Sequence, residues 1–210
     1  ELRAIIGAYD GLAVRSATKV TKELLDAAEN LKVVGRAGIG VDNVDVKSAT
    51  ERGVVVMNTP HGNAITTAEH TIAMMFALAR QIPEASVSTR AGKWEKNRFM
   101  GVELSSKTLG LIGCGNIGSI VADRALGLRM KVIAYDPFLS PERAVDLGVE
   151  KVELDELFKR SDFITLHTPL TGKTRNIIDA ADIANRKPSV PVTNEPARGR
   201  CIWVCVAAAL

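Results

Sequence analysis

The chain has 210 residues, 46% of them hydrophobic and 24% charged, with a formal net charge of +3. That length and apolar content suffice for one large or two small cores and mark a globular chain. The basic excess is spread without a basic run or interleaved aromatics, which argues against a nucleic-acid partner but suits a small anionic one. Three cysteines, two of them in residues 201–210, make no disulfide framework and point to a reducing, cytoplasmic setting. The late apolar run 201–210 falls far short of the ~20 residues that cross a bilayer, so no membrane partner is expected. No metal site is expected either. Glu1 stands first in place of a methionine, so a preceding targeting segment is compatible with the sequence.

In chain order, residues 1–8 read as a helix, 12–14 as a strand, 22–29 as a helix, 31–34 as a strand, 46–52 as a helix and 54–57 as a strand. A long helix follows over 63–82, opened by a capping box at Thr66 and Glu69 and closed before Pro83. It is apolar all round from Ile72 to Ala79 and must be buried on several sides, between domains or between subunits. Trp94 and Phe99, set among charges, favour a subunit interface. The alternative is a central core helix with Trp94 as a local lid. Strands are then expected at 108–112, 131–135 and 163–166, and helices starting near Asn116, Pro141, Leu154 and Ala180. Such alternation predicts an α/β chain of doubly wound parallel sheets covered by helices.

The most informative stretch is Gly113-Cys114-Gly115-Asn116-Ile117-Gly118, which follows the apolar strand 108–112. The first glycine permits the tight strand-to-helix turn, the second lets a pyrophosphate approach the backbone, and the third lets the helix pack on the sheet. The pyrophosphate would rest on the amides opening the helix at Asn116, where peptide dipoles favour an anion. Asp136 closes the next strand about 20 residues after the last glycine, the spacing of one βαβ step, and can hold the adenosine ribose hydroxyls. Cys114 fills a non-glycine slot of the turn, with no neighbouring His or thiol to activate it. A carboxylate ~4 Å from a 2′-phosphate opposes it by about 4 kcal/mol per charge pair at an effective dielectric near 20. Even a third of that is about tenfold in affinity. Pro137 and Phe138 follow Asp136 rather than an arginine, so NAD is preferred over NADP.

With GRAGIGVDNVD at 35–45, VVMNTPHGNAITTAEH at 55–70, GKWEKNRFMG at 92–101 and LGLIGCGNIGSIVADRA at 109–125, the chain resembles the D-isomer-specific 2-hydroxyacid dehydrogenases. AYDPF at 134–138 and DFITLHTPLTGKTRNII at 162–178 extend the similarity over residues 1 to about 190. The resemblance implies a Rossmann-type NAD-binding domain plus a partial flavodoxin-like substrate domain. It divides the chain into a partial substrate domain at 1–62, a helical connector and dimer interface at 63–104, a partial nucleotide domain at 105–190 and an aberrant tail at 191–210.

It also implies roles. Arg36 with Gly38, Ile39 and Gly40 would hold the carboxylate and phosphate of a 2-hydroxy or 2-oxo acid, since glycine-turn amides and a guanidinium suit oxyanions. On the residues alone, the preferred reading of that segment is an ordinary strand-to-helix turn capped by a surface arginine. Thr59 would face the nicotinamide side of the cofactor. Thr168 and Pro169 would stand outside the carboxyl ends of the strands, where ligands of open sheets bind. His167 is not expected to be the acid–base, because the family's catalytic His belongs to a later segment.

After Pro188 the pattern departs from the family, reading VPVTNEPARGRCIWVCVAAAL over 190–210. One alignment makes Arg198 the family's carbonyl-polarising catalytic arginine, with one residue inserted. Another makes Glu195-Pro196 a remnant of the catalytic Glu motif, and a third treats the tail as a shifted reading frame with no site. Pro191 and Pro196 conflict with a central strand. The function implied is hydride transfer between NAD and a 2-hydroxy acid, 3-phosphoglycerate first, with hydroxypyruvate, glyoxylate or D-lactate as alternatives. The family's His–Glu pair would lie beyond this chain, so little turnover is expected from it alone. An NAD-sensing, corepressor-like binding module and a nonfunctional gene fragment are the alternatives from other classes.

Overall fold

The computed structural model describes residues 1–169, 171, 174, 175, 177 and 178, together with the backbone of residues 192–194. The chain divides into two units, Glu1–Ala64 and Ile65–Leu210.

The first unit alternates α1 (Leu2–Ile5, extended by a 3-10 turn at Ile6–Ala8), β1 (Gly11–Val14), α2 (Lys22–Asp26), β2 (Val33–Arg36), α3 (Val46–Glu51) and β3 (Val55–Asn58). Its three strands are parallel in the order β1-β2-β3. Ile6, Val20, Leu25, Val34 and Ala49 form the centre of its core. Asp45 caps α3 by accepting from the Ser48 amide (3.0 Å) and the Ser48 hydroxyl (2.8 Å), and these bonds hold its carboxyl below the usual range. Two elements differ from expectation by two residues or more. α2 ends at Asp26 rather than at residue 29, because Ala28 turns back onto the Leu25 carbonyl and is buried. β2 begins two residues late, since Leu31 leaves the ladder to enter the core while its amide bonds Ala28.

The second unit opens inside α4 (Ala64–Ala79), whose first residue closes the first unit, and continues with α5 (Ile82–Arg90) and a 3-10 turn at Lys96–Phe99. The expected capping box does not form, because Thr66 and Glu69 both lie inside α4. Nor does Pro83 end a helix. The break is at Gln81, whose left-handed φ of 51° separates α4 from α5, and Pro83 sits in the first turn of α5, where its missing N–H matters least. Along α4, Ala68, Thr71, Met75 and Ala79 are buried, whereas Ile65 and Phe76 remain exposed within the described chain. Trp94 is 85% exposed, so it is not a lid on the core.

The rest of the unit is β4 (Thr108–Ile112), α6 (Asn116–Gly127), β5 (Lys131–Tyr135), α7 (Pro141–Asp146), β6 (Glu150–Lys151), α8 (Leu154–Arg160), β7 (Phe163–Leu166) and β8 (Val192–Asn194). All pairings are parallel, in the order β6-β5-β4-β7-β8. Strand alternation splits the core in two. Leu109, Leu111, Val132, Ala134 and Phe163 pack with Val121, Ala122 and Ala125 of α6. Ile112, Ile133 and Ile164 pack with Leu157 and Phe158 of α8. Both faces are therefore covered, which is the doubly wound arrangement.

Arg160 clamps the short edge strand to α8 by bonding Glu150 at 2.7 and 2.6 Å and Glu156 at 2.7 Å. Its side chain is 39% exposed, so solvent screens the network. Arg160→Ala is expected to lower stability by no more than about 1 kcal/mol, and by less in high salt, in urea titrations at two ionic strengths.

Candidate functional site

The winding of the second sheet reverses at β4, with β5 and β6 to one side and β7 and β8 to the other. Ligands of open parallel sheets lie outside the carboxyl ends at such a reversal. Three segments converge there, residues 113–118 after β4, 136–138 after β5 and 167–169 after β7.

The glycines of the first segment meet different demands. Gly113 has φ 92°, and a side chain on it would lie 2.7 Å from the His167 carbonyl oxygen. The loop therefore leaves β4 hard against the exit of β7. Gly118 lies in the first turn of α6, where a Cβ would collide with the Gly113 carbonyl. Gly115 is different. Its φ is −78°, which any residue adopts, and an added Cβ would meet nothing within 4 Å. Nothing in the fold requires a glycine there, and its open face is a cradle that a side chain would fill. Beside it, the Ile117 amide donates to no acceptor among the described residues, and Asn116 opens α6 with its dipole.

Asp136 stands directly beyond β5, and both its oxygens are engaged by backbone. Oδ2 accepts from the Cys114 amide at 2.8 Å and Oδ1 from the Phe138 amide at 2.8 Å. Each oxygen keeps a further lone pair. Pro137 and Phe138 are exposed beside it. An open backbone cradle, a free helix-start amide and a carboxylate at the next strand end fit a dinucleotide's pyrophosphate and adenosine ribose.

The Cys114 side chain faces the core rather than this crevice, and burial, reinforced by the Asp136 charge, pushes its thiol up to about 11. It therefore stays protonated and unreactive at neutral pH. His167 shares a 3.0 Å hydrogen bond between its Nε2 and the Thr165 hydroxyl, and burial pushes its pKa down to about 4. Its backbone amide extends the ladder by donating to the Ile112 carbonyl. Thr168 lies half-buried against Gly113, and the exposed Pro169 accepts from the Thr174 hydroxyl through its carbonyl.

In the first unit, Arg36 ends β2 and is buried, its guanidinium lying against Gly38 so closely that a side chain there would overlap it. The Gly38 amide donates to the Thr59 hydroxyl at 2.8 Å, and the Thr59 amide returns to the Gly38 carbonyl at 3.1 Å. Gly38 thus has no N–H left for a ligand, while the amides of Ile39 and Gly40 find no acceptor among the described residues. Two residues that hold this loop were not foreseen. Asn58 donates to the Ile39 carbonyl at 2.6 Å, and Asn43 accepts from Arg36 Nε at 3.4 Å while donating to the carbonyls of Arg15 and Thr18. Their placement beside the glycine turn and the Thr59-Pro60 turn was the available signal.

Arg198, Glu195, Pro196 and the helix expected near Ala180 lie outside the described residues. The strand that leads toward Arg198 is described. With prolines at 191 and 196 in the sequence around it, β8 forms at the edge of the described sheet, with Asn194 opposite Leu166.

The fold and crevice define a dinucleotide-binding α/β protein. A model of the D-isomer specific 2-hydroxyacid dehydrogenase, NAD binding domain, matches residues 72–203, and the chain belongs to this family of NAD-dependent enzymes. It is 51% identical over 194 residues to the D-3-phosphoglycerate dehydrogenase of Synechocystis sp., covering 92% of this chain and 35% of that one. It is 54% identical over 202 residues to the hydroxypyruvate reductase of Thermotoga maritima, covering 96% and 65%. Among solved structures, D-lactate dehydrogenase from Aquifex aeolicus, complexed with NAD and lactic acid, superposes with a TM-score of 0.85 at 30% identity, covering 91% of this chain and 58% of that one. The chain thus spans between 35% and 65% of the length of these two curated relatives. Among the described residues, no helix is long and apolar enough to cross a membrane.

Proposed function

We propose that this protein passes hydride between NAD and C2 of a 2-hydroxy acid, with 3-phosphoglycerate as the first candidate. The cradle at Gly115 beside the Asp136 carboxylate carries the cofactor half of this reading. Bound NAD supplies the hydride acceptor. The amides of Asn116 and Ile117 hold the pyrophosphate, Asp136 accepts the ribose hydroxyls, and Gly113 and Gly118 keep the turn closed beneath them. Pro137, Thr168 and Pro169 wall the crevice, and Thr59 serves the nicotinamide side. Arg36, with the amides of Ile39 and Gly40, binds the substrate's anionic groups. Arg198 polarises the substrate oxygen.

The phosphoglycerate assignment is supported by the relatives of that name, and the hydroxypyruvate reductase relative at 54% identity supports hydroxypyruvate as the second candidate. Residues 1–62 then act as substrate domain, 63–104 as connector and contact between two or more copies, and 105–190 as nucleotide domain. The exposed Ile65, Phe76 and Trp94 suit that contact.

The test is a fluorescence titration with both reduced cofactors. NADH binds at least about tenfold more tightly than NADPH, because the Asp136 carboxylate faces a 2′-phosphate in the latter. Equal affinities, or a preference for NADPH, would overturn the assignment of Asp136.

A further inference from the structure

The Asp136 carboxylate is bonded before any ligand arrives. Two successive amides of the glycine loop are anchored on the end of β5, Gly113 to the Tyr135 carbonyl at 2.9 Å and Cys114 to Asp136 Oδ2 at 2.8 Å. The first bond only continues the ladder, but the second joins a side chain to a loop 22 residues earlier. The other oxygen holds the Phe138 amide, so the carboxylate is also fixed on its own strand's exit. An acceptor at both ends is required here. Alanine leaves two amides without partners, and asparagine turns a donor toward one of them.

We propose that Asp136 is a positioning residue for the pyrophosphate loop as well as a reader of the ribose, so that removing its charge does not admit NADPH. The inference rests on the dinucleotide reading above. The bond to Cys114 sets the plane of the Gly113–Cys114 peptide, one residue before Gly115, and through it the open cradle and the direction of the Ile117 amide. A ligand with a 2′-phosphate gains from loss of the negative charge but loses the preformed turn beneath its pyrophosphate. Selectivity and loop order are therefore coupled through one carboxylate.

Amide hydrogen exchange of the ligand-free chain, paired with NADH and NADPH titrations, tests this in the native protein and in Asp136→Ala and Asp136→Asn. The Cys114 amide should exchange at least about tenfold faster in Asp136→Ala, while the Leu111 amide within β4 stays protected. NADH should weaken by more than about tenfold and NADPH should not gain. Asp136→Asn, the milder change, serves if the alanine variant does not fold, and it too should fail to improve NADPH. Improved NADPH binding with Cys114 still protected, in either variant, would overturn the proposal and leave Asp136 a reader of ribose alone. If the native chain binds neither cofactor, the dinucleotide reading fails. The exchange result alone then supports or overturns the anchoring of the loop.

Discussion

Gly118→Ala is expected to destabilise the second unit by about 2–3 kcal/mol, although alanine is the better helix former by roughly 1 kcal/mol. The added methyl would collide with the Gly113 carbonyl, which is backbone of a loop wedged against His167 and cannot swing aside like a side-chain tip. Either α6 lifts from the sheet, loosening Val121, Ala122 and Ala125, or the loop moves. Gly115→Val gives the opposite pattern. No atom lies within 4 Å of the new Cβ position, so the unfolding midpoint stays near that of the native chain. NADH binding should nevertheless fall by roughly 100-fold, the equivalent of one or two charge-assisted hydrogen bonds to the pyrophosphate. Urea unfolding and cofactor titration of both variants separate the two effects. A Gly115→Val protein that binds NADH normally would remove the pyrophosphate from this cradle.

The second large effect is a dependence on pH. In the folded chain His167 titrates near 4, against 6.5 when unperturbed, because burial disfavours its charged form. Between those values the unfolded chain takes up a proton that the folded chain refuses, so stability is complete above pH 6.5 and declines as pH falls toward 4. The loss by the lower limit is about 3 kcal/mol at 1.36 kcal/mol per pKa unit. His167→Gln retains a polar partner for Thr165 but carries no titratable proton, so its unfolding free energy should change much less over that range. Denaturant titrations from pH 7.5 to 4.5 measure this, and parallel losses in both proteins would assign the acid sensitivity to carboxylates instead. The same neutrality disfavours His167 as a proton donor at neutral pH.

The three central strands of the second unit were legible to the residue, at 108–112, 131–135 and 163–166. Buried on both faces, they read as unbroken apolar runs between loop signals. Helix starts at Asn116, Pro141 and Leu154 were equally plain, with Pro141 in the first turn after the Ser140 cap. The first unit was read less well, because its short elements end where tertiary contacts claim a residue. Leu31 and Ala28 enter the core instead of completing a strand and a helix. β6 escaped notice altogether, since two exposed residues carry no periodicity.

The sequence by itself determined the alternation of strands and helices, the glycine turn and the acidic strand end, because each is written in local spacing and in which residue tolerates which backbone. Only the tertiary structure decided that α4 breaks at Gln81, and that β8 adds beside β7 despite its flanking prolines. It also decided that Asp136 is already bonded to Cys114 and that the Thr59 hydroxyl takes the Gly38 amide. Those bonds join residues 22 and 21 positions apart, and their partners are chosen by the order in which strands lie side by side. Spacing along a chain records which groups can bond; the sheet's topology selects which of them meet.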